Sequence, residues 1–188
     1  MNNGLYSGVG GPRDTGQLGE ILLTSHKVLS GTTQIDLLDC FNSRYESYRI
    51  EVCDLTLGGV SNGVSLFTRF YLNGALDSAG NYSQLATLLS PPNANTSLFL
   101  GQIATYSPVM GGFAALIEVT NATTGPSKFV RHRGLLLSAE LSGNIGYTEA
   151  TALYRGTGLL TGLQIFQGNT PLPFSSGEVR VYARQKRG

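Results

Sequence analysis

The sequence predicts an all-β protein, an antiparallel sandwich of two sheets that we expect to be a jelly roll, with an extended N-terminal arm. Three observations support this fold class. Short apolar runs follow period two, which is the spacing of a strand with one buried face. Turns rich in Gly, Asn, Ser and Pro separate these runs, and no stretch follows the helical period. The chain has 25 glycines in 188 residues, about twice the usual share of roughly 7%.

Residues 1–19 contain six glycines, one proline and little apolar material. Such a segment cannot build a packed element, so we expect an arm that is either disordered or ordered against a neighbouring subunit. No linker divides the remainder, which predicts one sandwich domain over 20–183. A short basic tail follows at 184–188.

The strands of the first half are predicted from alternation. Glu20–Leu29 and Thr33–Leu38 are the first apolar runs, and Tyr48, Ile50 and Val52 then alternate with polar residues. Val64, Leu66, Phe70 and Leu72 alternate in the same way. Between these two strands the segment 58–63 ends in Asn-Gly, a pair that accepts positive φ angles, which predicts a β-hairpin. The turn-rich stretch Asn73–Asn95 is expected to run as a surface excursion.

The second half repeats this pattern. The predicted strands are Ser97–Gln102, Phe113–Val119, Lys128–Leu141, Tyr147–Tyr154, Leu159–Phe166 and Gly177–Ala183. Leu55 and Leu57 are expected on the face opposite Ile50 and Val52, and Phe67 and Tyr71 on the face opposite Leu66 and Phe70. Apolar residues on both faces predict a subunit interface, since exposed apolar surface usually marks one.

The sequence predicts no catalytic, cofactor-binding or metal-binding residue. Gly59-Val60-Ser61-Asn62-Gly63 matches the nucleophile-elbow pattern, but that motif needs a helix after the serine, and none is predicted. A triad also needs a histidine base. Of the two histidines, His26 is unremarkable and His132, between Arg131 and Arg133, is expected on the surface.

Other chemistries are also disfavoured. Cys40 and Cys53 are expected to be small buried hydrophobes, and with the histidines they lack the spacing of zinc ligands. The glycines of Gly8-Val9-Gly10-Gly11 lack the strand and helix of a phosphate loop. Glu118, Glu140 and Glu149 could serve a glycosidase only as a pair across a cleft, and acids on strands normally face solvent.

The composition indicates no polyanion as a partner. Net charge is +1, and no basic stripe with interleaved aromatics indicates nucleic acid. No apolar run is long enough to span a membrane, and we expect no signal peptide. Tyr82, Tyr106 and Tyr147 lie near predicted loops, where aromatics either stack on sugars or fill contacts; packing is the interpretation we favour.

Two groups of segments resemble a β-sandwich module common among structural proteins of tailed bacteriophages. The module pairs a "tyrosine, x, isoleucine" strand with a "leucine, x, x, arginine, phenylalanine" strand and ends on "serine, glycine, x, valine, arginine, valine, tyrosine". The matching segments are Tyr45–Val52, Val64–Phe70, Gly74–Tyr82, Leu159–Phe166 and Ser175–Tyr182. A closing glycine usual after this tyrosine is replaced by Ala183 and the basic tail, which is suited to attachment.

The resemblance implies a non-enzymatic protein on the exterior of the virion, assembled in the bacterial host cytoplasm. It would serve as a head decoration or minor capsid protein, or as a tail component. We expect a homotrimer that contacts other virion proteins through its arm and basic tail. The alternative is a receptor-binding module that recognises a glycan of the host surface, and a depolymerising enzyme ranks below both.

Overall fold

The computed structural model describes residues 19–59, 61–86, 95–105, 112–123, 127–137, 145–168 and 172–185. Within these ranges the chain forms strands and no helix, which confirms the all-β prediction. In chain order the described strands are β1 (Ile21–Lys27), β2 (Gln34–Leu37), β3 (Tyr45–Leu57), β4 (Ser61–Leu72), β5 (Ala75–Leu76), β6 (Tyr82–Ala86), β7 (Leu98–Thr105), β8 (Gly112–Thr120), β9 (Lys128–Leu137), β10 (Ile145–Tyr154), β11 (Leu160–Gln167) and β12 (Phe174–Gln185).

The strands form two antiparallel sheets. The seven-stranded sheet has the order β1-β12-β3-β8-β9-β10-β6. The five-stranded sheet has the order β2-β11-β4-β5, with β7 also paired to β4. The buried side chains of both sheets belong to one hydrophobic core, so the two-sheet sandwich is confirmed.

Period-two alternation fills the core as predicted. In β3 the buried residues are Tyr48, Ile50 and Val52, and in β12 they include Val179 and Val181. The residues between them face away from the core and are half-buried. This alternation gives the larger sheet an inner apolar face and an outer face of charged and polar side chains.

A β-bulge in β3 changes where Leu55 and Leu57 point. The register between β3 and β8 shifts between Val52 and Leu55, and Asp54 has a φ of 47°. The extra residue moves Leu55 and Leu57 back to the core side, where both are buried. The prediction that these leucines face away from Ile50 and Val52 was therefore wrong, because a bulge breaks the parity on which it depended.

The predicted hairpin at 58–63 is also wrong. β3 lies in the seven-stranded sheet and β4 in the five-stranded sheet, so the segment between them crosses from one sheet to the other. At its start, the Gly58 backbone N–H donates to the carbonyl of Pro173 at 2.7 Å. Glycine permits a turn here, but longer pairings with β12 and β11 decide the sheet in which each strand lies.

The stretch predicted as a surface excursion contributes strands. β5 pairs with β4, and β6 forms one edge of the larger sheet by pairing with β10. Tyr82 and Tyr154 pack together with ring centroids 4.8 Å apart, and the Tyr154 hydroxyl donates to Asp77 at 2.6 Å. Residues 87–94 lie outside the described part of the chain.

β9 carries basic side chains on its inner face. His132 is 3% exposed and Lys128 is 1% exposed, whereas Arg131 and Arg133 point outward. The expectation of a surface His132 was wrong because it relied on the charge of the neighbours. Those neighbours have the opposite parity along the strand. The Lys128 ammonium donates to the carbonyl oxygens of Gly156 and, at 2.9 Å, of Gly158.

The predicted arm lies almost wholly outside the described residues, which begin at Gly19. Of the predicted tail, the structure describes Arg184 and Gln185, and both belong to β12. β12 pairs with β1 at the edge of the larger sheet, and Ile21 is opposite Ala183. The arm and tail therefore stay predictions.

We predict that His132 makes the protein lose stability on mild acidification. Burial lowers its pKa from 6.5 to about 4. Below about pH 6.5 the unfolded chain binds a proton that the native protein does not. The free energy of unfolding should therefore fall by up to about 1.4 kcal/mol per pH unit as pH decreases towards 4. Chemical denaturation at a series of pH values measures this slope.

Two comparisons make the pH test specific. The His132→Leu variant should lose the slope between about pH 6.5 and 5, whereas His26→Gln, at an exposed position of β1, should keep it. Arginine partners hold the pKa values of Glu149 and Glu178 near 2. In the native protein these two carboxylates therefore take up a proton only at a pH well below the range of this test. An unchanged slope in His132→Leu would contradict the prediction.

We also predict that Lys128 stabilises the connection between β10 and β11. Replacing it with Met removes the donor to the Gly156 and Gly158 carbonyls in a buried setting, where an unpaired polar group costs about 1–3 kcal/mol. Thermal and urea unfolding of Lys128→Met should show a loss of about this size. Lys27→Met, at an exposed position of β1, is the matched control and should change stability little. Equal effects would contradict a special role for Lys128.

Candidate functional site

The outer face of the seven-stranded sheet carries an open groove of about 220 Å³. It crosses the middle of the sheet, from β12 through β3 and β8 to β9 and β10. The groove is lined by residues from six segments: Glu20, Ser47, Tyr48, Arg49, Glu118, Thr120, Phe129, Val130, Arg131, Thr151 and Arg184. We call this feature the outer groove.

Strand register assembles the outer groove. Arg49, Glu118 and Arg131 are direct cross-strand partners on β3, β8 and β9. In the neighbouring row, Thr120 is paired with Phe129. Opposite residues on one face have Cβ atoms only about 5 Å apart, so each row forms a continuous strip of side chains. The sheet thereby brings together residues that are far apart in the sequence.

Ion pairs within the protein compensate the arginines of the groove. Arg49 and Arg184 both pair with Glu20, each at 2.7 Å. Arg131 pairs with Glu149 at 2.5 Å. The Arg49 guanidinium also lies 4.7 Å from the ring centroid of Tyr182. These contacts fix the guanidinium groups against the sheet.

Glu118 differs from the other acids of this face. Within the described part of the chain, no hydrogen bond or ion pair within 4.0 Å involves its carboxylate. Its cross-strand neighbours Arg49 and Arg131 form ion pairs with other carboxylates. Glu118 therefore presents acceptor oxygens to the groove.

Large apolar side chains also point outward from β9 and β10. Phe129 is 52% exposed, Leu135 51% and Tyr147 54%. Leu135 and Tyr147 are direct cross-strand partners at the end of β9 away from Phe129. We call this pair the apolar patch. Phe129 lies about six residues away along β9, so it belongs to the outer groove.

Of the acids considered for glycoside cleavage, Glu149 has a pKa unsuited to a general acid. Hydrogen bonds from Arg131 and Tyr147, with help from Arg133, lower the pKa of Glu149 to about 2. A general acid needs the opposite shift, because it must keep its proton near neutral pH. Glu118 faces the outer groove, and Glu140 lies outside the described residues.

The nucleophile-elbow motif does not have the expected context. Ser61 begins β4, so a strand follows where an elbow requires a helix. The two histidines belong to β1 and β9 of the larger sheet, whereas β4 belongs to the smaller one. Val60, the second residue of the motif, lies outside the described residues.

The cysteines are not disulfide-bonded to each other. Cys40 is buried, as predicted, and burial raises the pKa of its thiol to about 12. Cys53 is half-buried at the bulge of β3, and burial raises its thiol pKa as well. In the ranges that the structure describes, no three His, Cys, Asp or Glu side chains are grouped so as to hold a metal ion.

The three tyrosines considered for sugar stacking have different outcomes. Tyr82 is fully buried and its hydroxyl accepts from the Phe70 backbone N–H at 2.9 Å, so it packs in the core. Tyr147 is exposed in the apolar patch, where its hydroxyl donates to Glu149 at 2.8 Å. Tyr106 lies outside the described residues.

The outer face of the smaller sheet is aromatic. Phe67 lies between Phe99 and Phe166, with ring centroids 5.6 and 5.7 Å away, and Arg69 lies 4.4 Å above the Phe166 ring. Phe67 and Tyr71 face away from the core, as predicted, although both are half-buried. These rings cover one another instead of forming an open platform.

Sequence reasoning missed Phe129 and the groove around it. One signal was present: in Lys128–Leu135, Phe129 and Leu135 share parity with Arg131 and Arg133, whereas Val130 has the opposite parity. Since a strand has two faces, either the valine or the phenylalanine side must be outward. The burial of Val130 places Phe129 outside.

Comparison of the chain with family models, curated proteins and solved structures finds no match. The described part of the chain also has no helix with the length and apolar character needed to cross a bilayer.

Proposed function

We propose that this chain is a non-enzymatic structural protein on the exterior of a tailed-phage particle. It serves as a head decoration or minor capsid protein, or as a tail component, and it assembles as a homotrimer. The observation that carries the assembly proposal is the apolar patch on the larger sheet. The resemblance of the sequence to phage β-sandwich modules supports the proposed location on the phage particle.

The strand order supports a jelly roll as the finer architecture. Eight strands, β1–β4, β7, β8, β11 and β12, are numbered one to eight in chain order. Their order is then 1-8-3-6 in the larger sheet and 2-7-4-5 in the smaller. We assign this alternation of strands between two sheets to a jelly roll, to which β9, β10 and β6 add an extension of the larger sheet.

Four of the five segments that resemble the phage module form one strand pair in each sheet. Tyr45–Val52 lies in β3 and Ser175–Tyr182 in β12, and these strands pair with each other. Val64–Phe70 lies in β4 and Leu159–Phe166 mostly in β11, and these strands also pair. The resemblance therefore concerns these two strand pairs of the fold.

The apolar patch supports association between copies. Leu135 and Tyr147 are neighbours on one sheet face and both are more than half exposed. Covering such side chains in an interface removes apolar area from water at roughly 25 cal/mol per Å². A cyclic arrangement repeats one contact around the ring, which is the usual way in which identical subunits satisfy such a surface. The arm and tail would contact other virion proteins.

We predict a mass of about 60 kDa in light scattering, three times the 20.0 kDa of one chain. Leu135→Asp should shift the protein to monomer, because it places a charge in the apolar contact. Leu38→Asp is the matched control: Leu38 is 60% exposed in the segment that follows β2, and its variant should stay trimeric. A wild-type monomer would contradict self-association, and dissociation by both variants would contradict this interface.

The location on the particle tests the function itself. Gold-labelled antibodies raised against this chain should decorate intact particles in negative-stain electron microscopy, on the head or on the tail. Disrupted particles with the same label are the control for buried epitopes. Absence of the chain from purified, disrupted particles would contradict the proposal whatever the oligomeric state.

A further inference from the structure

The outer groove combines an exposed ring with hydroxyl groups. Phe129 is 52% exposed and its direct cross-strand partner is Thr120. Ser47 and Thr151 supply further hydroxyls to the lining. Each hydroxyl can donate and accept a hydrogen bond. The groove therefore offers one apolar surface and several polar groups of both kinds within about 220 Å³.

The charges of the groove disfavour an ionic ligand. Glu20 compensates Arg49 and Arg184, and Glu149 compensates Arg131. An anion would meet guanidinium groups that are already paired, and it would lie beside the Glu118 carboxylate. A cation attracted by Glu118 would approach Arg49 and Arg131 on the two adjoining strands. Neither sign of charge has a clear advantage.

Glu118 gives the groove a strong acceptor. Its carboxylate has no hydrogen bond or ion pair within 4.0 Å among the described residues. Hydrogen bonds to an ionised group are about twice as strong as those between neutral groups. A neutral ligand with O–H donors gains from this carboxylate without bringing a charge into the field of the arginines.

We propose that the outer groove binds one neutral pyranose unit of a saccharide. The apolar C–H face of the sugar packs on the Phe129 ring, and its hydroxyls donate to Glu118 and exchange hydrogen bonds with Thr120 and Thr151. A volume of about 220 Å³ suits one sugar ring. Because the groove is open, affinity for a single sugar is expected in the millimolar range. This inference stands apart from the assembly role, since the apolar patch contributes nothing to it.

The first experiment uses three sugars that differ in charge. Glucose, glucosamine and glucuronate share one ring geometry but are neutral, cationic and anionic at pH 7. Galactose, mannose and N-acetylglucosamine extend the neutral set. The full-length protein is titrated with each sugar, and backbone amide shifts are followed by NMR. At least one neutral sugar should shift Thr120 and Thr151 and bind more tightly than both charged glucose analogues.

The second experiment separates the ring from the carboxylate. Phe129→Leu keeps an apolar side chain but removes the flat ring, and it should weaken binding of the neutral sugar about fivefold to tenfold. Glu118→Gln keeps the shape and removes the charge, with a loss of about tenfold. Leu38→Ala is the control, because Leu38 is exposed and lies outside both the outer groove and the apolar patch. Thermal melting checks that each variant is folded.

Several results would overturn the proposal. If no neutral sugar shifts the groove residues at saturating millimolar concentration, the groove is not a saccharide site. Tighter binding of glucosamine than of the neutral sugars would show that the groove prefers a cationic ligand. Tighter binding of glucuronate would show that it prefers an anionic ligand. If Leu38→Ala weakens binding as much as Phe129→Leu, the loss is not specific to the groove and the proposal fails. A monomeric protein that binds glucose in the groove would refute the trimer but keep this inference.

Discussion

The bulge in β3 keeps a thirteen-residue strand in phase with the core along its whole length. Without the extra residue at Asp54, Leu55 and Leu57 would turn to the outer face and leave the core open at the crossover to β4. The bulge lies against Gly177 of β12, where a Cβ would come within 3.0 Å of the Leu55 Cα. Gly177 also has a φ of +145°, which L side chains rarely adopt. One local irregularity thus shapes two adjacent strands of the larger sheet, β3 and β12.

Sequence alternation identified the strands because burial of one face is a local property. Each predicted run overlaps a described strand, and the predicted parity of Ile50 and Val52 was correct. The local sequence pattern gave a wrong prediction where the structure depends on pairing with strands that are distant in the sequence. Asn62-Gly63 is compatible with a hairpin, but the pairing of β3 with β12 and of β4 with β11 sends the two strands to different sheets.

The candidate site was harder to predict than the fold. Its members come from strands separated by many residues, and only the sheet register makes Arg49, Glu118 and Arg131 neighbours. Glu118 was noted from the sequence for a different chemistry, that of a glycosidase. His132 shows a related difficulty. The charged residues on either side suggested that it is exposed, but it points to the same side of β9 as Val130 and is buried with it. The chemistry of the side chains identified candidate residues in the sequence. Which of these residues are neighbours depends on the strand order and register of the sheet.

The ion pair between Glu20 and Arg184 has a consequence for engineering of the chain. It joins the residue that precedes β1 to the last described strand, β12, at one edge of the larger sheet, so the described chain enters and leaves the sandwich at the same corner. A short linker between positions near Glu20 and Arg184 could join the two ends of the sandwich, and new termini could then be opened in a connection far from the groove, as in a circular permutant. Groups attached close to Glu20 and Arg184 would also share one small volume. Their effective concentration for each other would be high, so two weak binding segments placed there would act as one stronger one.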